Sequence, residues 1–136
     1  MRYLLDTDIL SNLLKKRPST DLIAKLGQVP AEDQATSSIS FGELIYGAHR
    51  VPERRDALLR GIAERLLPNL PVLPFDREAA DEYGRLRAAL ESEGSLIGEA
   101  DMRIGSLALS RKLIVVTGNV RHFQKIPGLL VENWLE

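Results

Sequence analysis

Residues 3–8 decide the fold, because Tyr3-Leu4-Leu5 ends abruptly in Asp6-Thr7-Asp8. An apolar run that stops at an acid and leads into an amphipathic segment predicts a buried strand of a parallel sheet, here residues 2–6. The helix predicted next, over residues 7–15, has Thr7 or Asp8 as its candidate cap. Such a strand delivers the Asp6 carboxylate to the sheet edge where open α/β sheets bind ligands.

Strand and helix patterns alternate along the rest of the chain. A second buried strand is predicted over residues 113–117, and the prolines around segment 71–74 favour an edge strand. Because strands alternate with helices, we expect a parallel sheet with right-handed crossovers. The prediction is one α/β domain over residues 1–136, with a mostly parallel central sheet of about five strands and helices on both faces. The remaining strands are predicted at 35–39 and 129–131, and the remaining helices at 20–26, 40–49, 53–67, 76–93, 99–111 and after Asn119.

Composition limits the classes of function. The net charge of -1 provides no bulk attraction to nucleic acid or anionic membranes, so polyanion binding needs a local patch. Without cysteine there are no disulfides or thiolate metal sites, and the distant His49 and His122 argue against a multi-histidine zinc site. No apolar run approaches the roughly 20 residues of a membrane span, and a signal-peptide pattern is absent. We therefore expect a cytoplasmic protein without membrane contact.

Five polar side chains are predicted to follow strands or to begin helices at one edge of the sheet. Carboxylates gathered there repel one another unless a cation or protons neutralise them. Oxygen ligands without histidine or cysteine favour Mg²⁺ or Mn²⁺, which activate water and assist attack on a phosphodiester. The pattern predicts metal-dependent hydrolysis or transfer at phosphate. The five residues are Asp6, Glu43, Glu99, Asp101 and Asn119.

Each of the last four also has a purely structural explanation. Ser40 and Glu43 fit a capping box, in which the serine caps a helix and the glutamate reaches back. Glu99 and Asp101 suit the positive end of a helix dipole, and Asn119 is a frequent helix cap. The joint occurrence of these residues at one edge favours a site.

Four segments, in order over nearly the whole chain, make it resemble the PIN-domain ribonucleases, and more closely the VapC-type toxins of prokaryotic toxin–antitoxin pairs. The resemblance implies Mg²⁺ or Mn²⁺ as cofactor, RNA as substrate, a homodimer, and inhibition by a small cognate VapB-type antitoxin. The segments are YLLDTDILS at 3–11, TSSISFGELIYG at 36–47, IGEADMRI at 97–104 and VVTGN at 115–119, with Phe123, PGL at 127–129 and VENW at 131–134 after it.

The resemblance also implies roles for individual residues. Asp6, Glu43 and Asp101 fall on the acidic metal-site positions of the family, and Asn119 on a fourth position that is Asp in some members. Asp6 and Asp101 are then the primary metal ligands. Glu43 would bind a second ion or orient the attacking water, and Asn119 would contribute a neutral ligand or a hydrogen bond. Glu99 is a further candidate ligand, with an outer supporting role or a helix-start role as alternatives.

Two arginines are the candidate substrate contacts. Arg103 and Arg121 stand beside Asp101 and Asn119 in sequence, so they are expected to reach the RNA phosphates. The alternative for each is a solvated surface position.

Other functions fit the opening motif less well. Haloacid-dehalogenase-like phosphatases also use a strand-end aspartate, but their later paired-acid loop is absent. A response-regulator receiver would use Asp6, Asp8 and Asp76, but no lysine follows the strand ending at Thr117. The remaining alternative is a catalytically silent PIN-like module that binds RNA or a partner, because Asn119 is not an acid. Metal-dependent cleavage that is lost on substitution of the acids distinguishes the enzyme from this module.

Overall fold

Five parallel strands form the centre of the molecule. The computed structural model describes residues 1–136, and its strands are β1 (Tyr3–Leu5), β2 (Gln34–Ser37), β3 (Val72–Leu73), β4 (Ile114–Val116) and β5 (Val131–Glu132). They pair in the order β3-β2-β1-β4-β5, and every pair is parallel. Leu4 in the central strand β1 is aligned with Ala35 on one side and with Val115 on the other. The α/β class and the edge position of the strand between the prolines are confirmed.

Seven α-helices connect or follow the strands. A π-helical turn (Ile62–Leu66) and a 3-10 turn (Leu67–Asn69) continue the fourth helix, and a 3-10 turn (Ala31–Asp33) precedes β2. None of the helices has the length and apolarity that crossing a membrane requires. The helices are α1 (Thr7–Leu13), α2 (Thr20–Gln28), α3 (Ser38–His49), α4 (Arg55–Gly61), α5 (Arg77–Ser92), α6 (Glu99–Arg111) and α7 (Val120–Phe123).

The helices cover both faces of the sheet because successive side chains of a strand point in opposite directions. Leu4 and Val115 pack in a core with the apolar faces of α5, α6 and α7. Tyr3 and Leu5 pack in a second core with residues of α1, α2, α3 and the π-helical turn. The predicted arrangement of helices on both faces is confirmed.

The boundary between β2 and α3 differs from the prediction. Strand β2 ends at Ser37, and the Ser37 hydroxyl oxygen accepts a hydrogen bond of 2.9 Å from the Ser40 N–H, so Ser37 caps α3. The helix therefore begins at Ser38, and Glu43 lies in its second turn. The capping-box explanation of Ser40 and Glu43 is wrong, because Glu43 is too far along the helix to reach a cap.

Two other predicted elements also shift. The last strand lies at Val131–Glu132 rather than at 129–131. The long helix predicted over 53–67 is divided into α4 and the π-helical turn.

The strand order creates a switch point beside β1. From β1 the chain continues to β2 on one side, whereas from β4 it continues to β5 on the other side. Ligands of open α/β sheets bind outside the carboxyl ends of strands at such a point. Asp6 directly follows β1 and Thr117 directly follows β4, so both lie at this position.

Candidate functional site

Asp6 is the most buried acid of the site. Its side chain caps α1, with one carboxylate oxygen accepting from the Thr7 N–H at 2.8 Å and the other from the Thr117 hydroxyl at 2.8 Å. Only 6% of the residue is exposed. Burial raises the pKa of Asp6 from 3.8 to about 6, against the effect of the two hydrogen bonds and with the help of the charges of Asp8 and Asp101. Ionisation of Asp6 therefore costs more free energy in the folded protein than in water, and a bound cation would offset that cost.

Asp8 connects the start of α1 to the loop after β4. Its Oδ2 accepts a hydrogen bond of 2.8 Å from the Gly118 N–H. Burial also raises the pKa of Asp8. A Cβ on residue 118 would lie 2.8 Å from that Asp8 oxygen and 2.8 Å from Leu135 Cδ1, so this close approach requires glycine. The prediction that Thr7 or Asp8 caps α1 is wrong, because Asp6 occupies that position.

Glu43 reaches the site from α3. The Thr7 hydroxyl donates to Glu43 Oε1 at 2.6 Å, which joins the start of α1 to the second turn of α3, two helices that follow neighbouring strands. The other carboxylate oxygen of Glu43 has no hydrogen-bond partner in the protein.

Asp101 and Asn119 are brought together by a residue that sequence analysis did not assign to the site. His122 Nδ1 lies 2.8 Å from Asp101 Oδ2 and 2.8 Å from Asn119 Nδ2. Asn119 stands at the cap position of α7, but its side chain makes no capping hydrogen bond. Its N–H instead donates to the Thr117 hydroxyl oxygen at 2.9 Å, so the loop after β4 is linked to the partner of Asp6. The three-residue spacing from Asn119 to His122 was the available sequence signal.

These residues form the wall of an open cleft of about 600 Å³. No lining residue is apolar, and four of the predicted site residues (Asp6, Glu43, Asp101 and Asn119) are present together. Lys15 is the one cation in the lining, and it makes no ion pair. Lys15 lies just beyond the end of α1 at Leu13, so no helical spacing in the sequence placed it at the cleft. The full lining is Asp6, Thr7, Asp8, Ser11, Asn12, Lys15, Glu43, Asp101 and Asn119.

Glu99 lies outside the cleft, in an ion-pair network between α5 and α6. The Tyr83 hydroxyl donates to Glu99 Oε2 at 2.6 Å, and Arg103 Nη2 lies 3.5 Å from the same oxygen. Arg87 Nη1 lies 3.4 Å from Oε1. Both oxygens are therefore occupied by protein partners, and the structure does not bring Glu99 together with the other candidate ligands.

The two candidate substrate arginines also do not line the cleft. The Arg103 guanidinium pairs with Glu99 and lies 5.8 Å from the centre of the Tyr83 ring. Arg121 is exposed on α7 and makes no ion pair.

The chemistry of the site suits a hard divalent cation. As the side chains stand, no three acidic or histidine side chains are grouped closely enough to hold one ion. The donors lining the cleft are nevertheless oxygen-rich, and the buried Asp6 has no lysine or arginine partner. The protein leaves the negative charge of these carboxylates uncompensated, and Mg²⁺ or Mn²⁺ would neutralise it. These residues therefore fit such an ion.

Comparisons with known proteins agree with this architecture. The PIN domain model matches residues 3–129. Ribonuclease VapC2 of Haemophilus influenzae is 36% identical over 137 residues, which cover 99% of each chain. The tRNA(fMet)-specific endonuclease VapC of Salmonella typhimurium is 37% identical over 136 residues, which cover 98% of each chain.

A solved structure shares the fold of this chain. The crystal structure of VapBC2 from Rickettsia felis, bound to a DNA fragment from their promoter, contains a chain that superposes with a TM-score of 0.89. That chain is 32% identical, and the match covers 98% of the present chain and 99% of the other. The present chain therefore belongs to the PIN-domain family, and within it to the VapC type.

Proposed function

We propose that this chain is a metal-dependent endoribonuclease toxin that hydrolyses RNA phosphodiester bonds and is neutralised by a cognate VapB-type antitoxin. The observation that carries the proposal is the polar cleft at the switch point, where the buried Asp6 shares a wall with Glu43, Asp101 and Asn119. Relatives named as ribonucleases and as tRNA(fMet)-specific endonucleases support RNA as the substrate. The VapBC complexes among the solved structures support the antitoxin as partner. Such an enzyme would act on cytoplasmic RNA.

The proposed cofactor is Mg²⁺ or Mn²⁺, held by Asp6 and Asp101, with Glu43 as a ligand of a second ion or as the residue that orients water. When bound, such an ion supplies charge neutralisation and water activation at the phosphate. Glu99 is left out of this ligand set, because three neighbours occupy its carboxylate.

The protein residues themselves hold the acids and the attacking water in place. The Thr117 hydroxyl and the Thr7 N–H fix both oxygens of Asp6. The Thr7 hydroxyl fixes one oxygen of Glu43 and leaves the other to accept a hydrogen bond from the attacking water. Lys15 at the cleft wall would contact an RNA phosphate, because it is the one cation there.

A cleavage assay tests this proposal. Purified protein is incubated with initiator tRNA and a panel of structured RNAs in Mg²⁺, Mn²⁺ or EDTA, beside the variants Asp6→Asn and Asp101→Asn. Asp81→Asn is the matched control, since Asp81 pairs with Arg85 on the exposed face of α5. We expect cleavage that needs the divalent ion, disappears in both cleft variants and persists in the control.

Two other outcomes of the cleavage assay would contradict the proposal. Cleavage that persists in both cleft variants would refute the assigned residues. Well-folded protein that binds RNA without cutting any member of the panel in either ion would favour the silent binding module.

The toxin role has a separate test in cells. Induced expression of the chain should arrest growth, and co-expression of the cognate VapB-type antitoxin should restore it. The variant Asp6→Asn should not arrest growth at equal protein level. Equal arrest by this variant would show that the toxicity does not come from the cleft.

A further inference from the structure

Each acid of the proposed metal site has one carboxylate oxygen fixed by a side-chain donor. Thr117 holds Asp6 at 2.8 Å, and Thr7 holds Glu43 at 2.6 Å. The third acid, Asp101, has its Oδ2 held by His122 Nδ1 at 2.8 Å, while its Oδ1 has no hydrogen-bond partner in the protein. His122 thus fixes one oxygen of Asp101, as Thr117 fixes one oxygen of Asp6 and Thr7 fixes one oxygen of Glu43.

Hydrogen-bond chemistry assigns the hydrogen in this contact. An ionised carboxylate only accepts, so the hydrogen must be on His122 Nδ1 and point at Asp101. The amide nitrogen of Asn119, 2.8 Å from the same Nδ1, is also a donor and cannot face an N–H. Turning the amide by 180° places the Asn119 oxygen beside Nδ1 and removes this contact between two donors.

The contact between His122 and Asp101 is not part of the packed core. The side chain of His122 is 46% exposed, whereas that of Asp101 is 19% exposed. The residue that anchors α7 in the core is its neighbour Phe123, which is fully buried. Removal of the imidazole should therefore leave the fold intact and release the Asp101 carboxylate to rotate.

We propose that His122 is a positioning residue that orients Asp101 for divalent-cation binding through the hydrogen on Nδ1. This inference rests on the proposed metal-dependent function. A carboxylate with one oxygen fixed loses less rotational freedom when the other oxygen binds an ion. Hydrogen-bond partners of metal ligands typically change metal affinity by 10–100-fold when they are removed.

The test uses Mn²⁺ alone as the probe, with the full chain and no RNA. The Kd is measured from the electron paramagnetic resonance signal of free Mn²⁺ for the wild type and for His122→Ala, His122→Gln and His122→Asn. The asparagine amide nitrogen comes close to the place of Nδ1, whereas the glutamine amide nitrogen corresponds to Nε2. His49→Ala is the matched control, because His49 is exposed at the end of α3 and makes no ion pair.

We expect the alanine and glutamine variants to bind Mn²⁺ about 10-fold or more weakly. The asparagine variant should stay within about threefold of the wild type, and the His49 control should be unchanged. Thermal unfolding of the metal-free variants checks that each is folded. Were the alanine variant to fail this check, the comparison of asparagine with glutamine would still decide.

Other results overturn the proposal in distinguishable ways. Unchanged affinity in His122→Ala would show that the contact does not orient the ligand, and tighter binding would show that it opposes the ion. Equal weakening in the asparagine variant would refute the role of the Nδ1 hydrogen. A wild type that binds no Mn²⁺, or binds it equally well as Asp6→Asn, would overturn the proposed metal site together with this inference.

Discussion

Replacement of the central acid by its neutral isostere should stabilise the metal-free protein at neutral pH. In Asp6→Asn the amide oxygen can still accept from the Thr7 N–H, and the amide nitrogen can donate to the Thr117 hydroxyl oxygen. The two contacts that hold the wild-type side chain therefore have replacements. What the substitution removes is a buried negative charge beside Asp8 and Asp101.

The magnitude follows from the pKa of Asp6, which rises from 3.8 to about 6 in the folded protein. One pKa unit corresponds to 1.36 kcal/mol, so ionising this carboxyl costs the fold up to about 3 kcal/mol. Because the folded state binds the proton more tightly than the unfolded state, the free energy of unfolding falls as pH rises from about 3.8 to about 6. Above that window the whole cost is present, and below it the cost is absent. The asparagine variant lacks this contribution at every pH.

The assay is urea unfolding followed by circular dichroism at pH values from 4 to 8 in EDTA, with Asp81→Asn as control. The variant should be more stable than the wild type at pH 7 to 8 by up to about 3 kcal/mol, and the difference should shrink towards pH 4. In a parallel series without EDTA, Mg²⁺ should stabilise the wild type, by about 2.7 kcal/mol at 100 times its Kd, and leave the variant unchanged. A variant that is less stable than the wild type by the same amount at every pH would refute the reasoning, because the carboxylate would then be stabilising when ionised.

Three further predictions concern residues around the cleft. Gly118→Ala should lower the free energy of unfolding, measured by urea denaturation, by about 1–3 kcal/mol, because its Cβ would lie 2.8 Å from a carboxylate oxygen. The control Gly84→Ala lies in open space on a helix and should instead raise the free energy of unfolding by up to about 1 kcal/mol. Lys15→Gln should raise the KM for RNA several-fold at low salt with kcat little changed. Lys16→Gln should leave KM unchanged, because the Lys16 side chain does not line the cleft. Equal KM values for Lys15→Gln and the wild type in steady-state cleavage would exclude the phosphate contact. Glu99→Gln should bind Mn²⁺ with an affinity within about twofold of the wild type, since the Glu99 carboxylate is held by its neighbours. A loss of affinity of 10-fold or more in a Mn²⁺ titration would return Glu99 to the ligand set.

The elements with strong local patterns were predictable from sequence. Strands β1 and β4 are apolar runs buried on both faces, and α5 has a buried stripe at helical spacing between the cap Asp76 and Gly94, whose φ is +67°. Where the pattern was weak the boundaries shifted, as at Ser37, because serine caps a helix as readily as it ends a strand. The edge position of Asp6 also followed from sequence, since an acid that ends a buried strand must emerge at the carboxyl end of the sheet.

The amino-acid sequence by itself determined the α/β class and the strand that carries Asp6 to the sheet edge, because these depend on periodicity within a few residues. Only the tertiary structure decided which polar groups meet. Thr117 and Asp6 are 111 positions apart in the chain, yet their side chains are hydrogen-bonded because β1 and β4 are neighbours. The same long-range placement brings His122 to Asp101 and surrounds Glu99 with partners from α5. Hydrogen bonds and ion pairs form between atoms within a few ångströms, and that proximity is set by strand order and helix packing rather than by the local pattern of the chain.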